Sequence, residues 1–104
     1  FTRVRQMSIF EVLSDILPCV YSASTEKVPP PYLAYRGNGQ TNFSADDTYY
    51  YTQNNYIVEY YFVKKDPYTE HLIEQRLLEN GYRYEKSEDI QLSDEGVTLI
   101  YYYI

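Results

Sequence analysis

His71 is the sole imidazole in the sequence, and it stands beside Glu70. A general base needs a nucleophile to serve and a third group to orient it. Sequence neighbours on a helix do not face each other, so His71 reads as a surface residue. Cys19 is the sole thiol. An activated thiolate needs a basic partner or a helix N-terminus. Cys19 instead follows Pro18 at the far end of a predicted helix, and reads as a small buried apolar residue. Asp46-Asp47 offer adjacent carboxylates, but the alternating acids, central Gly and distal Glu of a calcium loop are missing. Turn chemistry is the expectation there. One Cys and one His cannot complete a Cys/His zinc site. Gly37-Asn38-Gly39 lacks both the third glycine and the Gly-Lys-Ser/Thr sequence of phosphate loops, and Asn42-Phe43-Ser44 is a glycosylation sequon without a secretory segment beside it. The expected catalytic, cofactor-binding and metal-binding residues are therefore none, and the chain reads as non-enzymatic.

Composition narrows the remaining classes. Acids outnumber bases 15 to 9 across 104 residues, for a formal charge of -6. That balance argues against a general binder of the phosphate backbone, which needs a basic footprint. A single cysteine excludes an internal disulfide framework, and no apolar run approaches a membrane span. No leader is expected. Tyrosine is the outlier, with 15 residues against four Phe and no Trp. Tyrosine favours strands and is enriched at protein–protein surfaces. Both readings hold if one sheet face is core and the other is interface.

The elements follow from periodicity and punctuation. Phe1–Gln6 precede Met7 and are expected to be an extension or an expression remnant, leaving residues 7–104 as a single domain. Ser8 and Glu11 form a capping box. Ile9, Val12, Leu13, Ile16 and Leu17 recur at helical spacing, predicting a helix over Ser8–Leu17 that Pro18 stops. Cys19–Ser22 reads as a short strand and Ala23–Pro31 as a loop, its Pro29-Pro30-Pro31 run favouring polyproline geometry. Tyr32–Arg36 reads as a strand, Gly37–Gly39 as a turn, and Gln40–Asp47 as a polar segment around Phe43. Thr48–Gln53 and Tyr56–Lys64 read as strands, with Asn54-Asn55 either a tight turn or a bulge in one long strand. Tyr56, Val58, Tyr60 and Phe62 share one face; Ile57, Glu59, Tyr61 and Val63 share the other, which Glu59 marks as partly wet. Asp66-Pro67 opens a second helix with Leu72, Ile73, Leu77 and Leu78 as its buried stripe. Asn80-Gly81 ends it. Tyr82–Lys86 and Gly96–Ile104 read as strands, with Ser93–Gly96 turning into the last and Ile90 and Leu92 beginning the pair. The expected fold is α+β: two helices on one face of a mostly antiparallel, Tyr-rich sheet, in the order α-β-β-β-(β)-α-β-β.

One set of residues carries a wider likeness. Pro30-Pro31-Tyr32-Leu33 leads to Tyr35-Arg36, then Asn42-Phe43 with Ala45-Asp46, then a Tyr-rich strand through Glu59-Tyr60-Tyr61. Lys64-Lys65-Asp66 follows, then Glu70, Ile73 and Glu74, then Gly81, Tyr84-Glu85-Lys86-Ser87 and Tyr101. With the helix ending at Leu17-Pro18, this pattern spans roughly residues 7 to 104. It resembles the tail-completion, or tail-terminator, proteins of the head–tail connection in long-tailed phages and prophages of Gram-positive bacteria. The resemblance implies a subunit of a homo-oligomeric ring, usually a hexamer. Such a ring caps the tail tube, limits its length and joins it to the head connector. It implies a virion location after assembly in the host cytoplasm, no cofactor and no membrane. It also implies DNA that passes through without specific binding, which the acidic charge would permit. The expected interface candidates are Pro30, Pro31, Tyr32, Asn42, Phe43, Asp46, Asp47, Tyr49, Tyr51, Glu59 and Tyr61. Two alternatives stand beside this reading: another connector of the same module, and a cytosolic module that binds a peptide or small ligand through its Tyr face.

Overall fold

A computed structural model describes residues 8–22, 28–45, 49–92 and 96–104. Phe1–Gln6, the Asp46-Asp47 pair, and the turn expected at Ser93–Glu95 lie outside the described residues. Two helices and a six-stranded sheet follow in the order α1 (Ile9–Leu13), β1 (Cys19–Tyr21), β2 (Tyr32–Ala45), β3 (Tyr49–Phe62), α2 (Pro67–Glu79), β4 (Glu85–Lys86), β5 (Ile90–Leu92) and β6 (Val97–Tyr103). The sheet order is β1-β2-β3-β6-β4, with β5 also on β6. Only the β1–β2 pair is parallel; the rest are antiparallel. The fold is α+β, as expected.

Local chemistry sets most boundaries. The Ser8 hydroxyl accepts from the Glu11 amide at 3.2 Å, the N-cap half of the expected capping box, and donates to the Glu11 carboxylate at 3.0 Å. The first helix is shorter than the predicted Ser8–Leu17. It ends at Leu13, because Ser14 and Asp15 are weak helix formers and Pro18 disfavours helical geometry before it. Ile16 and Leu17 still pack against the core. Asp66 caps α2, accepting from the Tyr68 amide at 3.2 Å and from the Thr69 hydroxyl at 2.7 Å. Gly81, at φ +82°, closes α2. The Gly81 and Tyr82 amides donate to the Leu78 and Leu77 carbonyls. This is a Schellman closure whose hydrophobic pair is Leu77 and Tyr82. The Pro30–Pro31 peptide is cis, a departure from the polyproline run expected there.

The predicted turn at Gly37–Gly39 is not a turn. β2 continues to Ala45, and β3 is one strand through Asn54-Asn55. The register steps from Gly37↔Tyr56 to Gln40↔Asn54, so β2 carries one extra residue, with Gly39 at φ +76°. A glycine in left-handed geometry serves a bulge as readily as a turn. Beyond it, Gln40–Ala45 and Asn54–Tyr49 form a two-stranded arm projecting past the body. A 14-residue strand spans about 46 Å, most of the molecule's 52 Å long axis.

The core lies between helices and sheet. Ile9, Val12 and Leu13 of α1 and Ile73 and Leu77 of α2 meet Leu33, Val58, Tyr60, Phe62, Ile100 and Tyr102. The predicted alternation of β3 holds, with Val58, Tyr60 and Phe62 on the helix side. The predicted stripe of α2 needs correction. Leu78 is 56 % exposed and Leu72 is half-buried, whereas Glu70 is buried beside Ile73 and Leu77. The spacing 70, 73, 74, 77 is itself one helix face.

Candidate functional site

The buried acids of α2 build one polar cluster. Lys86 of β4 reaches Glu70 Oε1 and Glu74 Oε2, both at 2.8 Å. Lys65, just before α2, lies 2.8 Å from Glu70 Oε2 and 2.9 Å from Asp89. The Tyr102 hydroxyl donates to Glu74 at 2.9 Å. Burial pushes Glu74 up, but the hydrogen bonds from Lys86 and Tyr102 outweigh it and hold the carboxyl below its ordinary range. Burial and the bond to Glu74 together push the Tyr102 hydroxyl well above that of free tyrosine. The Glu70 and Asp89 carboxylates, accepting from the Lys65 ammonium, raise Lys65. Lys65, Lys86 and Tyr102 are held in their protonated forms and Glu74 in its charged form by their neighbours, which suits pinning α2 and β4 to the sheet rather than moving a proton.

The opposite sheet face carries no residue of the helix-side core. Period-two alternation and the register place Tyr32, Glu59, Tyr61, Tyr101 and Tyr103 there. Tyr32 and Tyr61 are directly paired across strands and stack at 4.6 Å; Tyr101 and Tyr103 stack at 5.8 Å. Between these pairs lies Glu59. It was expected to be wet, yet it is only 9 % exposed. Its carboxylate accepts from the Tyr61 hydroxyl at 2.7 Å and the Ser22 hydroxyl at 3.1 Å, and the Arg36 guanidinium stands 3.7 Å away. The bonds from Tyr61 and Ser22 offset its burial. Burial, then the Glu59 carboxylate, pushes Tyr61 up. Ile57 and Leu99 on this face are also buried, so much of the tyrosine excess covers a sheet face that no helix-side residue covers.

The sequence candidates fall into three places. Tyr32, Glu59 and Tyr61 come together on this second face. Asn42, Phe43, Tyr49 and Tyr51 lie in the arm, where Phe43 is opposite Tyr51, Asn42 opposite Thr52, and Tyr49 opposite Ala45. Pro30 and Pro31 precede β2; Pro31 lines a cleft of about 520 Å3 with Tyr60, Phe62, Val63, Lys65 and Thr69. Asp46 and Asp47 are outside the described residues. His71 is exposed, and Cys19 is half-buried against the core, its thiol pushed up to about 11 by burial. Sequence reasoning missed Arg36 and Ser22 as partners of Glu59, and Lys65 and Lys86 as partners of the α2 acids. A signal for the second set existed in the two acids at helical spacing with Ile73 and Leu77. Among the described residues, no group of three or more His, Cys, Asp or Glu could hold a metal. No helix among them is long and apolar enough to cross a membrane.

No protein-family model matches the sequence. No curated protein matches it either.

Proposed function

We propose that this chain is a structural subunit of a phage tail, a terminator or completion protein. It assembles into a homo-oligomeric ring that caps the tail tube and meets the head connector, without catalysing a reaction or holding a cofactor. The observation that carries the reading is the arm: Gln40–Ala45 and Tyr49–Asn54 pair with each other beyond the last residues that β1 and β6 pair with. A self-sufficient monomer gains nothing from such an arm, whereas a ring subunit needs a reach to its neighbour. The distributed likeness in the sequence points the same way. Mixing the purified protein with its tail tube and imaging by electron microscopy tests the reading. The expected result is a ring at one tube end. A protein that stays monomeric and leaves the tube bare would refute it.

A second reading rests on the cleft at Pro31. Its apolar floor of Tyr60 and Phe62 and its lysine rim at Lys64 and Lys65 suit an extended acidic peptide. Peptide-dependent shifts confined to those residues in an NMR titration, with no self-assembly, would favour it.

A further inference from the structure

Among the described residues the arm has two free edges, whose chemistry is set by the backbone. β1 pairs with β2 only through Tyr35, and β6 pairs with β3 only from Ile57 onward. Beyond those points Thr41–Ala45 and Tyr49–Gln53 pair with each other. Among the described residues no further strand flanks either side. The direction of the free groups follows from one fixed point. Tyr56 exchanges both backbone hydrogen bonds with Ile104, at 3.2 and 2.9 Å, so its N–H and C=O point away from β2. Strand alternation carries that direction to Asn54, Thr52 and Tyr50. The register then turns Asn42, opposite Thr52, and Ser44, opposite Tyr50, outward on the other side.

These edges lack the usual guards. Exposed strand edges are blunted by charged residues, by proline or by a covering element. From Gly37 to Ala45 and from Tyr49 to Asn55 there is no Lys, Arg, Asp, Glu or Pro. A lone two-stranded ribbon is marginal in water and gains stability from a third strand.

We propose that the arm is the joint between copies of this chain. The outer edge of β2 in one copy pairs with the outer edge of β3 in the next, continuing the ribbon from subunit to subunit. This rests on the ring reading above and specifies where the ring is sealed. The occupant is a second copy for two reasons. The arm strands carry no charge by which to select a charged partner such as DNA. Each copy also brings two unlike edges of matching length, and joining unlike edges is the head-to-tail contact from which rings are built. Pairing like edges would use one edge and leave the other bare.

Proline tests the joint because it removes one outward N–H while sparing the ladder inside the arm. Asn42→Pro disables the β2 edge and Thr52→Pro disables the β3 edge. Assembly is read by native mass spectrometry and light scattering at matched concentration. Wild type is expected to form rings, alone or on its tube. Each variant is expected to remain monomeric with the thermal midpoint of the body unchanged, its junction weakened about a hundredfold or more. An equimolar mixture should stop at a heterodimer, because only one live edge of each kind remains. Ser44→Lys and Tyr50→Lys repeat the test by charge, should proline disturb the arm. If the variants form rings like wild type, the joint lies elsewhere and the ring reading stands without it. If Asn42→Pro alone dimerises, the pairing is not head-to-tail. If arm amides are protected from exchange only when a different protein is bound, the occupant is not a second copy. If wild type never assembles, the ring reading itself fails.

Discussion

Replacing Lys86 with methionine should be among the most damaging single changes outside the apolar core. The ammonium lies 2.8 Å from each of two carboxylates, and the Glu70 side chain is only 5 % exposed. Hydrogen bonds to charged groups contribute about 1.5–3 kcal/mol each. The full pair would exceed that range, but Lys86 is a third exposed, Glu70 keeps Lys65 and Glu74 keeps Tyr102. The expected cost is therefore about 2–3 kcal/mol, a large share of the 5–15 kcal/mol typical of a domain. Methionine keeps an apolar chain of similar length and loses the ammonium, which lies 5.9 Å from the Tyr102 ring centroid, so the change is mainly one of charge. Urea unfolding at pH 7 reads the loss. A second reading at about pH 3 separates charge from packing. Glu74 is depressed in the folded state, so its stabilisation is present above the ordinary glutamate range and is lost as pH falls through the depressed value. In the variant, burial no longer has Lys86 to oppose it, and the acid loss begins at higher pH. The gap between the two proteins should narrow once Glu74 is protonated. A cost below about 0.5 kcal/mol at pH 7, or an equal cost at both pH values, would refute the reasoning.

Gly81→Ala should cost about 1–2 kcal/mol, because φ +82° is strained for any residue with a Cβ; Gly81→Asn should cost less, and thermal melts would rank the two. Cys19, pushed up to about 11, should react with a disulfide reagent at pH 8 about a hundredfold more slowly than a free thiol. Urea should restore the ordinary rate; fast labelling of the folded chain would contradict the burial. Lys86 and Tyr102 both have raised folded values, so their contribution is complete below about pH 10 and should be lost as pH rises further. A midpoint unchanged between pH 9 and 11 would count against that coupling.

Features encoded within a few residues were legible in the sequence. Ser8 with Glu11, Asp66 with Pro67, and Asn80 with Gly81 each satisfy helix ends through local bonds. The alternation of β3 needed only period two. Where the partner came from afar, reading failed. Nothing local marks Glu70 and Glu74 as a paired cluster, because Lys65 and Lys86 approach from a loop and a strand. Glu59 marked a partly wet face, because Ser22 and Arg36, which meet its carboxylate, are remote in sequence. Gly37–Gly39 was ambiguous for a different reason. The left-handed geometry that lets Gly39 end a strand also lets it continue one with an extra residue. Of the interface candidates, the sequence marked both the arm and the tyrosine face, but pairing alone divided them into separate surfaces.

The place of β6 in the sheet bears on how the protein is made. Val97–Tyr103 is inserted between β3 on one side and β4 and β5 on the other, and it supplies Ile100 and Tyr102 to the centre of the core. Its pairing with β3 spans roughly forty residues of chain, a slow, non-local contact. A nascent chain on the ribosome can form the β2–β3 hairpin and α2 but cannot close the sheet until this strand has been translated. Until then β3 exposes a second bare edge and Val58 and Tyr60 lack their cross-strand neighbours Tyr102 and Ile100, leaving apolar surface of the kind that chaperones recognise. The sheet thus closes late, and a chain truncated before Val97 cannot complete it.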